Sequence, residues 1–274
     1  MNNLQQRILT GIIAGSAVVA AIYSHPVGLL VFCIIVSVLS YIEYKNLHGL
    51  SSIITAALGV GAIALWVSVT ANYFLQPIHN QLIWMIQLLI ISFSGIIILY
   101  RKPIQQSFLQ WAVALAGYGY IFIPFVLLFW LSFPNDSKEY HFMGSLGLLF
   151  LMWTADIGAY FVGKFLGKHY IFPSISPKKT WEGFIGGLLL TLLLGYFLQQ
   201  YQALSDRNWV ICGGIIAVLG LYGDLFESLM KRNADKKDSG SLLPGHGGFL
   251  DRFDGVFLAI PPVYVYIQLL KIVY

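Results

Sequence analysis

Long apolar stretches separated by short polar segments run along nearly the whole chain. A bilayer core about 30 Å thick requires roughly 20 apolar residues of helix at a rise of 1.5 Å each. The stretches that approach or reach this length are Ile8–Tyr23, Val27–Ile42, Ile53–Leu75, Leu82–Leu99, Trp111–Leu131, Ser145–Val162, Phe184–Leu198, Trp209–Leu225 and Val256–Val273. The pattern predicts an all-α polytopic integral membrane protein with about nine transmembrane helices.

Composition supports this fold class. Of the 274 residues, 58% are hydrophobic and 10% are charged, whereas soluble domains carry about 25% charged residues. An ordinary soluble enzyme and a disordered chain are therefore excluded. Cys33 and Cys212 lie inside apolar stretches, so we expect them to pack as small hydrophobic side chains. The first stretch, preceded by Arg7, resembles a signal peptide, but the embedded stretches after it favour a retained helix.

The basic residues predict the orientation. With nine spans, 13 of the 16 Lys and Arg residues lie on the side of the membrane that holds the N-terminus. Because positive charge marks the cytoplasmic side, the N-terminus is predicted to be cytoplasmic. The short chain without an organellar extension predicts the bacterial cytoplasmic (inner) membrane as its location.

Charge is also distributed unevenly along the chain. Residues 1–144 carry few charges and short loops, which is typical of a scaffold of transmembrane helices. In residues 145–274, acidic residues enter the apolar stretches, and the segments 163–183 and 228–255 are long and basic. We predict that this second region is catalytic and that these two segments are cytoplasmic loops.

Two acidic residues lie where a bilayer penalises them. A charged side chain at mid-bilayer costs on the order of 2.5–3.5 kcal/mol on insertion scales, so such residues are usually functional. Asp156 shares a helix face with Tyr160, Gly163 and Gly167, which suggests a site for a metal or a polar ligand. A hydrogen bond from Asp156 to a neighbouring helix is the alternative.

The end of the eighth stretch presents a stronger pattern. Asp224, Glu227, Ser228 and Lys231 fall at i, i+3, i+4 and i+7, which is one helix face. The pattern predicts a site where the membrane meets the cytoplasm. A helix end with an internal Glu227–Lys231 pair is the alternative, and it leaves Asp224 unexplained.

The segment that follows is rich in cations, carboxylates and glycines. Gly245, Gly247 and Gly248 would let backbone N–H groups approach an anion. Asp251 and Asp254 could favour a helix N-terminus or supply oxygen ligands to Mg²⁺. Together these residues are typical of a metal–phosphate site.

A helix is predicted to begin at Ser176 as N-cap, with Pro177 in its first position. Lys178 and Lys179 would then lie in the first turn and oppose the helix dipole, a conflict that a bound phosphate would remove. Anchoring of both lysines to anionic lipid headgroups is the alternative. The run Gly158–Lys164 matches a P-loop only superficially, because Phe165 occupies the Ser/Thr position and the segment is an apolar helix.

The C-terminal pattern resembles a known family signature. The run is Ser228-x-x-Lys231-Arg232-x₄-Lys237-Asp238-x-Gly240-x₃-Pro244-Gly245-His246-Gly247-Gly248-x-Leu250-Asp251-Arg252-x-Asp254. It looks like the signature of the phosphatidate cytidylyltransferases (CDP-diacylglycerol synthases). Similar motifs are dense over residues 153–255, and elsewhere the similarity is limited to hydropathy and length.

The resemblance implies that CTP and phosphatidic acid react to give CDP-diacylglycerol and pyrophosphate, with Mg²⁺ as the required cofactor. A second bound cation is compatible with the same resemblance. The resemblance also implies membrane-lipid contacts, a homodimer and no nucleic-acid partner. With the motif analysis, it predicts catalytic roles for Asp224, Asp251, Lys231 and Arg252, and metal binding by Asp224, Asp251 and Asp254. The residues predicted to bind the phosphates of CTP and phosphatidate are Asp156, Lys178, Lys179, Ser228, Arg232, Lys237, Ser239, His246, Gly247 and Gly248.

Two other functions remain open at this point. A membrane ion-coupled transporter also places acids in helices, but it predicts charge near mid-membrane and an inverted repeat, and the sequence has no visible repeat. The second alternative is another CTP-dependent enzyme that acts on a lipid phosphate or a polyprenol.

Overall fold

The computed structural model describes residues 3–74, 80–99, 103–133, 139–200, 208–240 and 247–273. Within these ranges the chain forms nine helices and one β-hairpin. The elements are α1 (Asn3–Ser24), α2 (Pro26–Leu47), α3 (Ser52–Phe74), α4 (Asn80–Leu99), α5 (Ile104–Trp130), α6 (Met143–Leu166), β1 (Tyr170–Phe172), β2 (Ser176–Thr180), α7 (Trp181–Gln199), α8 (Trp209–Asn233) and α9 (Leu250–Val273).

Most of these helices can cross a membrane. In the described part of the chain, seven helices, α2, α3 and α5–α9, are long and apolar enough to do so. The described apolar parts of α1 and α4 are shorter, at Gly15–Ser24 and Gln87–Ile96. The prediction of an all-α, multi-pass membrane protein is confirmed, and the count of nine spans and the cytoplasmic N-terminus stay predictions.

The core joins the N-terminal helices to the last helix. Helix α5 packs against both α2 and α9. Phe125 of α5 is fully buried, and its ring lies 5.9 Å from the rings of Phe253 and Phe257 on α9 and 6.4 Å from that of Phe32 on α2. These edge-on aromatic contacts tie α9 to the first half of the chain.

Helices α6, α7, α8 and α9 pack in sequence order, and glycines allow their close approach. A Cβ atom on Gly187 of α7 would lie 2.5 Å from the carbonyl oxygen of Ala155 on α6. A Cβ atom on Gly223 of α8 would lie 2.5 Å from the carbonyl oxygen of Asp254 on α9. The second contact brings Asp224 beside Asp254.

The predicted helix start at Ser176 is wrong. Residues Ser176–Thr180 form strand β2, which pairs antiparallel with β1. Helix α7 begins at Trp181, with Thr180 as its N-cap, because the Thr180 Oγ1 atom accepts a hydrogen bond from the Gly183 N–H at 3.2 Å. Pairing with β1 satisfies backbone groups that a helical turn would otherwise have used. Lys178 and Lys179 therefore project from a strand and not from a helical turn.

The helices also extend further into the charged segments than predicted. Helix α8 continues to Asn233, and α9 begins at Leu250 and so includes Asp251 and Asp254. Phe253 departs from helical geometry (φ −123°, ψ 15°), which bends the first turns of α9. The segment between α6 and α7 is therefore 167–180, and the segment between α8 and α9 is 234–249. Both are shorter than the segments 163–183 and 228–255 expected from the sequence.

Candidate active site

A cavity of about 540 Å³ lies between α6, α7, α8, α9 and the hairpin. The charged side chains that line it are Asp156, Lys178, Lys179, Asp224, Asp251, Arg252 and Asp254. Its large apolar lining residues include Met152, Trp153, Phe184, Leu188, Ile216 and Leu221. A cavity with both charged and apolar lining suits an amphiphile with a charged headgroup.

Three carboxylates cluster beside this cavity, and two of them, Asp224 and Asp254, line it. Oxygen atoms of Asp224, Glu227 and Asp254 all lie within 4.8 Å of one another. Asp224 and Glu227 lie on neighbouring turns of α8. The close helix contact at Gly223 places Asp254 of α9 next to them. Glu227 is fully buried, and no donor among the described residues hydrogen-bonds to its Oε1 atom. Three close carboxylate oxygens fit a divalent cation such as Mg²⁺, which prefers oxygen ligands.

The hairpin brings a lysine to these carboxylates. The Lys179 Nζ atom lies 2.5 Å from the Asp224 Oδ2 atom. The other oxygen of Asp224, Oδ1, accepts a hydrogen bond from the Ser228 Oγ atom at 3.3 Å. Lys178, next in the strand, lines the same cavity. Lys178 and Lys179 thus lie in one cavity with Asp224, and their binding of substrate phosphates stays a prediction.

Asp251 also lines the cavity, but its carboxylate is engaged by donors from this chain. Its Oδ1 atom lies 2.6 Å from the Lys231 Nζ atom. Its Oδ2 atom accepts hydrogen bonds from the backbone N–H groups of Ser239 (3.1 Å) and Gly248 (2.9 Å). Lys231 also pairs with the buried Glu227 one turn earlier in α8. The oxygen cluster around Asp224 thus contains Glu227 and Asp254 rather than Asp251, and metal binding by Asp251 stays a prediction.

The described glycines of the C-terminal motif pack directly against carboxylates of the chain. Gly247 has a φ of +82°, a conformation that favours glycine. A Cβ atom on Gly248 would lie 2.3 Å from the Oε2 atom of Glu43. The close backbone approach expected at Gly247 and Gly248 is therefore present, toward Asp251 and Glu43. Phosphate binding by these glycines stays a prediction.

The other predicted residues are distributed around this centre. Asp156 is exposed to the cavity together with Tyr160, whereas Gly163 packs against Thr180 and Gly183. Arg232 and Lys237 are exposed and do not line the cavity. His246 lies outside the described residues.

One acidic residue beside the site, Glu43, belongs to none of the sequence motifs. Glu43 of α2 is 3% exposed, and it contacts the segment that precedes α9. The span predicted from hydropathy ends at Ile42, one residue before Glu43. Its position inside a long apolar helix is the signal that would have found it, since intramembrane acids are usually functional.

Comparison with known proteins shows the family of this chain. The family model described as "Cytidylyltransferase family" matches residues 5–270. A phosphatidate cytidylyltransferase of Bacillus subtilis (strain 168) is 31% identical over 277 residues, covering 98% of this chain and 99% of the relative. The phosphatidate cytidylyltransferase of Staphylococcus aureus (strain COL) is 30% identical over 262 residues, covering 94% and 96%. With nearly the whole chain matched, this protein belongs to the cytidylyltransferase family.

Proposed function

We propose that this protein transfers the cytidylyl group of CTP to phosphatidic acid, giving CDP-diacylglycerol and pyrophosphate for phospholipid synthesis. The observation that carries the proposal is the cavity in which Asp224 and Asp254 meet Lys178, Lys179 and Arg252. The two relatives described above are named for this activity, and this chain matches nearly their whole length. Membership of the cytidylyltransferase family also argues against the transporter interpretation.

The lining of the cavity suits both substrates. Apolar side chains such as Trp153, Phe184 and Leu188 lie on helices that can span the membrane, where the acyl chains of a lipid would be. The charged residues suit the phosphate groups of the lipid and of CTP. A volume of about 540 Å³ is within the range of roughly 300–1,000 Å³ found for small-molecule sites.

The chemistry requires positioning and charge neutralisation. An oxygen of the lipid phosphate attacks the α-phosphorus of CTP, a new P–O bond forms, and the bond to the bridging oxygen breaks. Pyrophosphate leaves with the electron pair. No general base is required, because the lipid phosphate is already ionised at pH 7. Lys178, Lys179 and Arg252 stabilise the charge that develops on the phosphate oxygens.

Asp224, Glu227 and Asp254 are the residues that would hold Mg²⁺. When bound, the cation neutralises phosphate charge and orients the reacting groups. Asp251 is the candidate ligand for a second cation. The Lys179–Asp224 pair supports this proposal, because a cation at Asp224 would free Lys179 for a substrate phosphate.

The cellular setting is also part of the proposal. The relatives are bacterial, and we place the protein in the bacterial cytoplasmic membrane with the active site facing the cytoplasm. The basic residues at the C-terminal end of α8 and around the hairpin support this orientation, by the positive-inside rule. We expect a homodimer, which cross-linking in native membranes would test.

The test is pyrophosphate release by purified protein in mixed micelles that contain CTP, phosphatidic acid and Mg²⁺, with each component omitted in turn. We expect release only when all three are present. Diacylglycerol and a polyprenyl phosphate replace phosphatidic acid in parallel reactions. Turnover with a polyprenyl phosphate and none with phosphatidic acid would assign the other lipid-phosphate activity instead.

A further inference from the structure

One carboxylate of the N-terminal half lies among the residues that surround the active site. Glu43 lies near the end of α2 and is 3% exposed. Its Oε2 atom accepts hydrogen bonds from the Leu250 backbone N–H at 2.9 Å and from the Ser239 Oγ atom at 3.2 Å. These two donors precede and follow the segment 240–249. A single oxygen atom therefore receives hydrogen bonds from both ends of that segment.

Two glycines of the same segment pack on this carboxylate. A Cβ atom on Gly240 would lie 2.4 Å from Oε1 of Glu43, and one on Gly248 would lie 2.3 Å from Oε2. No side chain fits at either position while Glu43 keeps its place. The fit of Gly240 and Gly248 on α2 thus depends on the carboxylate and on the absence of both side chains.

The contacts continue from Glu43 to the active site. Ser239, whose hydroxyl group donates to Glu43, donates its backbone N–H to Asp251 Oδ2. Gly248 donates its backbone N–H to the same oxygen. Asp251 in turn pairs with Lys231 at 2.6 Å and lines the cavity. Displacement of Ser239 or Gly248 would remove the hydrogen bonds that fix the Asp251 carboxylate.

A second part of α2 contacts the start of the same region. The Lys236 Nζ atom donates a hydrogen bond to the backbone oxygen of Asn46 at 3.3 Å. Burial, and secondarily the Lys236 charge, lower the pKa of His48, the residue that follows α2. The end of α2 therefore contacts described residues at both ends of the α8–α9 connection, namely Lys236, Ser239 and Leu250.

We propose that Glu43 is a positioning residue of the active site, which holds Ser239 and Leu250 so that the backbone around them fixes Asp251 at the cavity. This inference rests on the proposed function for its kinetic consequence, but not for its structural one. It assigns to α2, in the half of the chain predicted to be a scaffold, a direct part in arranging the site.

The variants are Glu43→Ala, Glu43→Gln and Gly240→Ala, with Ser40→Ala as the control. Glu43→Gln keeps an oxygen that can accept both hydrogen bonds. Gly240→Ala disturbs the same contact from the opposite side with the carboxylate intact. Ser40 is buried one turn earlier in α2, and its hydroxyl has no hydrogen-bond partner among the described residues, so its removal leaves the contact unchanged.

Two readouts separate positioning from a purely structural role. We expect Glu43→Ala and Gly240→Ala to lower kcat/KM of the folded protein about 10- to 100-fold, as loss of an outer-shell partner does. Glu43→Gln should stay within about threefold of the wild type, because its hydrogen bonds are retained. Hydrogen exchange at the Ser239, Gly248 and Leu250 amides should accelerate in Glu43→Ala and Gly240→Ala, and not in Ser40→Ala.

Wild-type kcat/KM and wild-type exchange at these three amides in Glu43→Ala would overturn the proposal. Equal acceleration of exchange throughout α2 and α9 would also overturn it, because that result indicates general destabilisation. If Glu43→Ala does not fold, Gly240→Ala decides the question by the same two readouts. If the wild type has no activity with CTP and phosphatidic acid, the proposed function fails, and the exchange result alone decides the role of Glu43.

Discussion

The Nζ atom of Lys179 lies 2.5 Å from the Oδ2 atom of Asp224, and this ion pair joins the β-hairpin to the carboxylate cluster on α8 and α9. Neither side chain is fully buried, with 22% of Lys179 and 37% of Asp224 exposed. The pair therefore faces the cavity, where substrate phosphates and a cation can compete for its two members. Lys179 and Asp224 are expected to exchange partners when substrates bind.

Removal of the Asp224 charge should abolish most of the activity. Asp224→Asn keeps the size of the side chain but weakens cation binding, and we expect kcat/KM to fall by at least about 100-fold, beyond the usual effect of an outer-shell residue. The Mg²⁺ concentration needed for half-maximal activity should rise. Asp235→Asn is the matched control, because Asp235 is exposed and has a φ of 52°, which asparagine tolerates. Full activity of Asp224→Asn at low Mg²⁺ would exclude this residue as a ligand.

Loss of the Lys179 charge should weaken binding of the anionic substrates. In Lys179→Gln we expect KM for CTP to rise and kcat to fall, with a combined effect of about 10- to 100-fold, since hydrogen bonds from charged donors contribute about 1.5–3 kcal/mol. Lys168→Gln, an exposed lysine that precedes the same hairpin and does not line the cavity, should behave as the wild type. Steady-state kinetics at fixed Mg²⁺ provide the measurement, and equal effects of both substitutions would point to general surface charge instead.

Lys231 should be required for stability as well as for activity. It pairs with the fully buried Glu227 and with Asp251, so Lys231→Met leaves two carboxylates without their cation. Breaking a buried ion pair costs about 3–5 kcal/mol. The double variant Lys231→Met/Glu227→Gln should recover part of this loss, because one uncompensated charge is removed. Thermal unfolding in detergent tests both, and a double variant less stable than the single one would refute this explanation.

The contact between α6 and α7 should not accept a side chain. A Cβ atom on Gly187 would lie 2.5 Å from a backbone oxygen of α6, so the helices must separate in Gly187→Ala. We expect a destabilisation of about 1–3 kcal/mol, as for other overpacked sites. Gly214→Ala is the control, since its Cβ atom would meet its nearest neighbour, Leu192, at an ordinary 3.7 Å. An unchanged melting temperature in Gly187→Ala would show that the two helices can separate without cost.

Hydropathy and motif spacing predict the helical membrane fold and direct attention to several acidic residues that line the cavity. Asp156, Asp224, Asp251 and Asp254 were found because a bilayer penalises charge or because the motif is dense, and all of them line one cavity. The strand at Ser176–Thr180 was not predicted, because Ser-Pro is a good helix start in isolation and the pairing with Tyr170–Phe172 is a tertiary effect.

Two features of the site depend on contacts that no local pattern contains. The close approach of Asp254 to Asp224 requires the glycine packing at Gly223, between helices separated in sequence. Glu43 lies 196 residues from Ser239 and 207 from Leu250 along the chain. A single sequence can identify Glu43 as an acid in an apolar helix, but not the partners that it meets.

The central claim, transfer of the cytidylyl group to phosphatidic acid, is tested most directly by the fate of labelled phosphate. CTP labelled at the α-phosphorus and CTP labelled at the γ-phosphorus are incubated separately with the purified protein, phosphatidic acid and Mg²⁺. We expect the α-label to enter the lipid phase and the γ-label to remain in aqueous pyrophosphate. Transfer of the γ-label to a lipid would instead indicate a kinase, and absence of both labels from the lipid, with folded protein, would contradict the proposed activity.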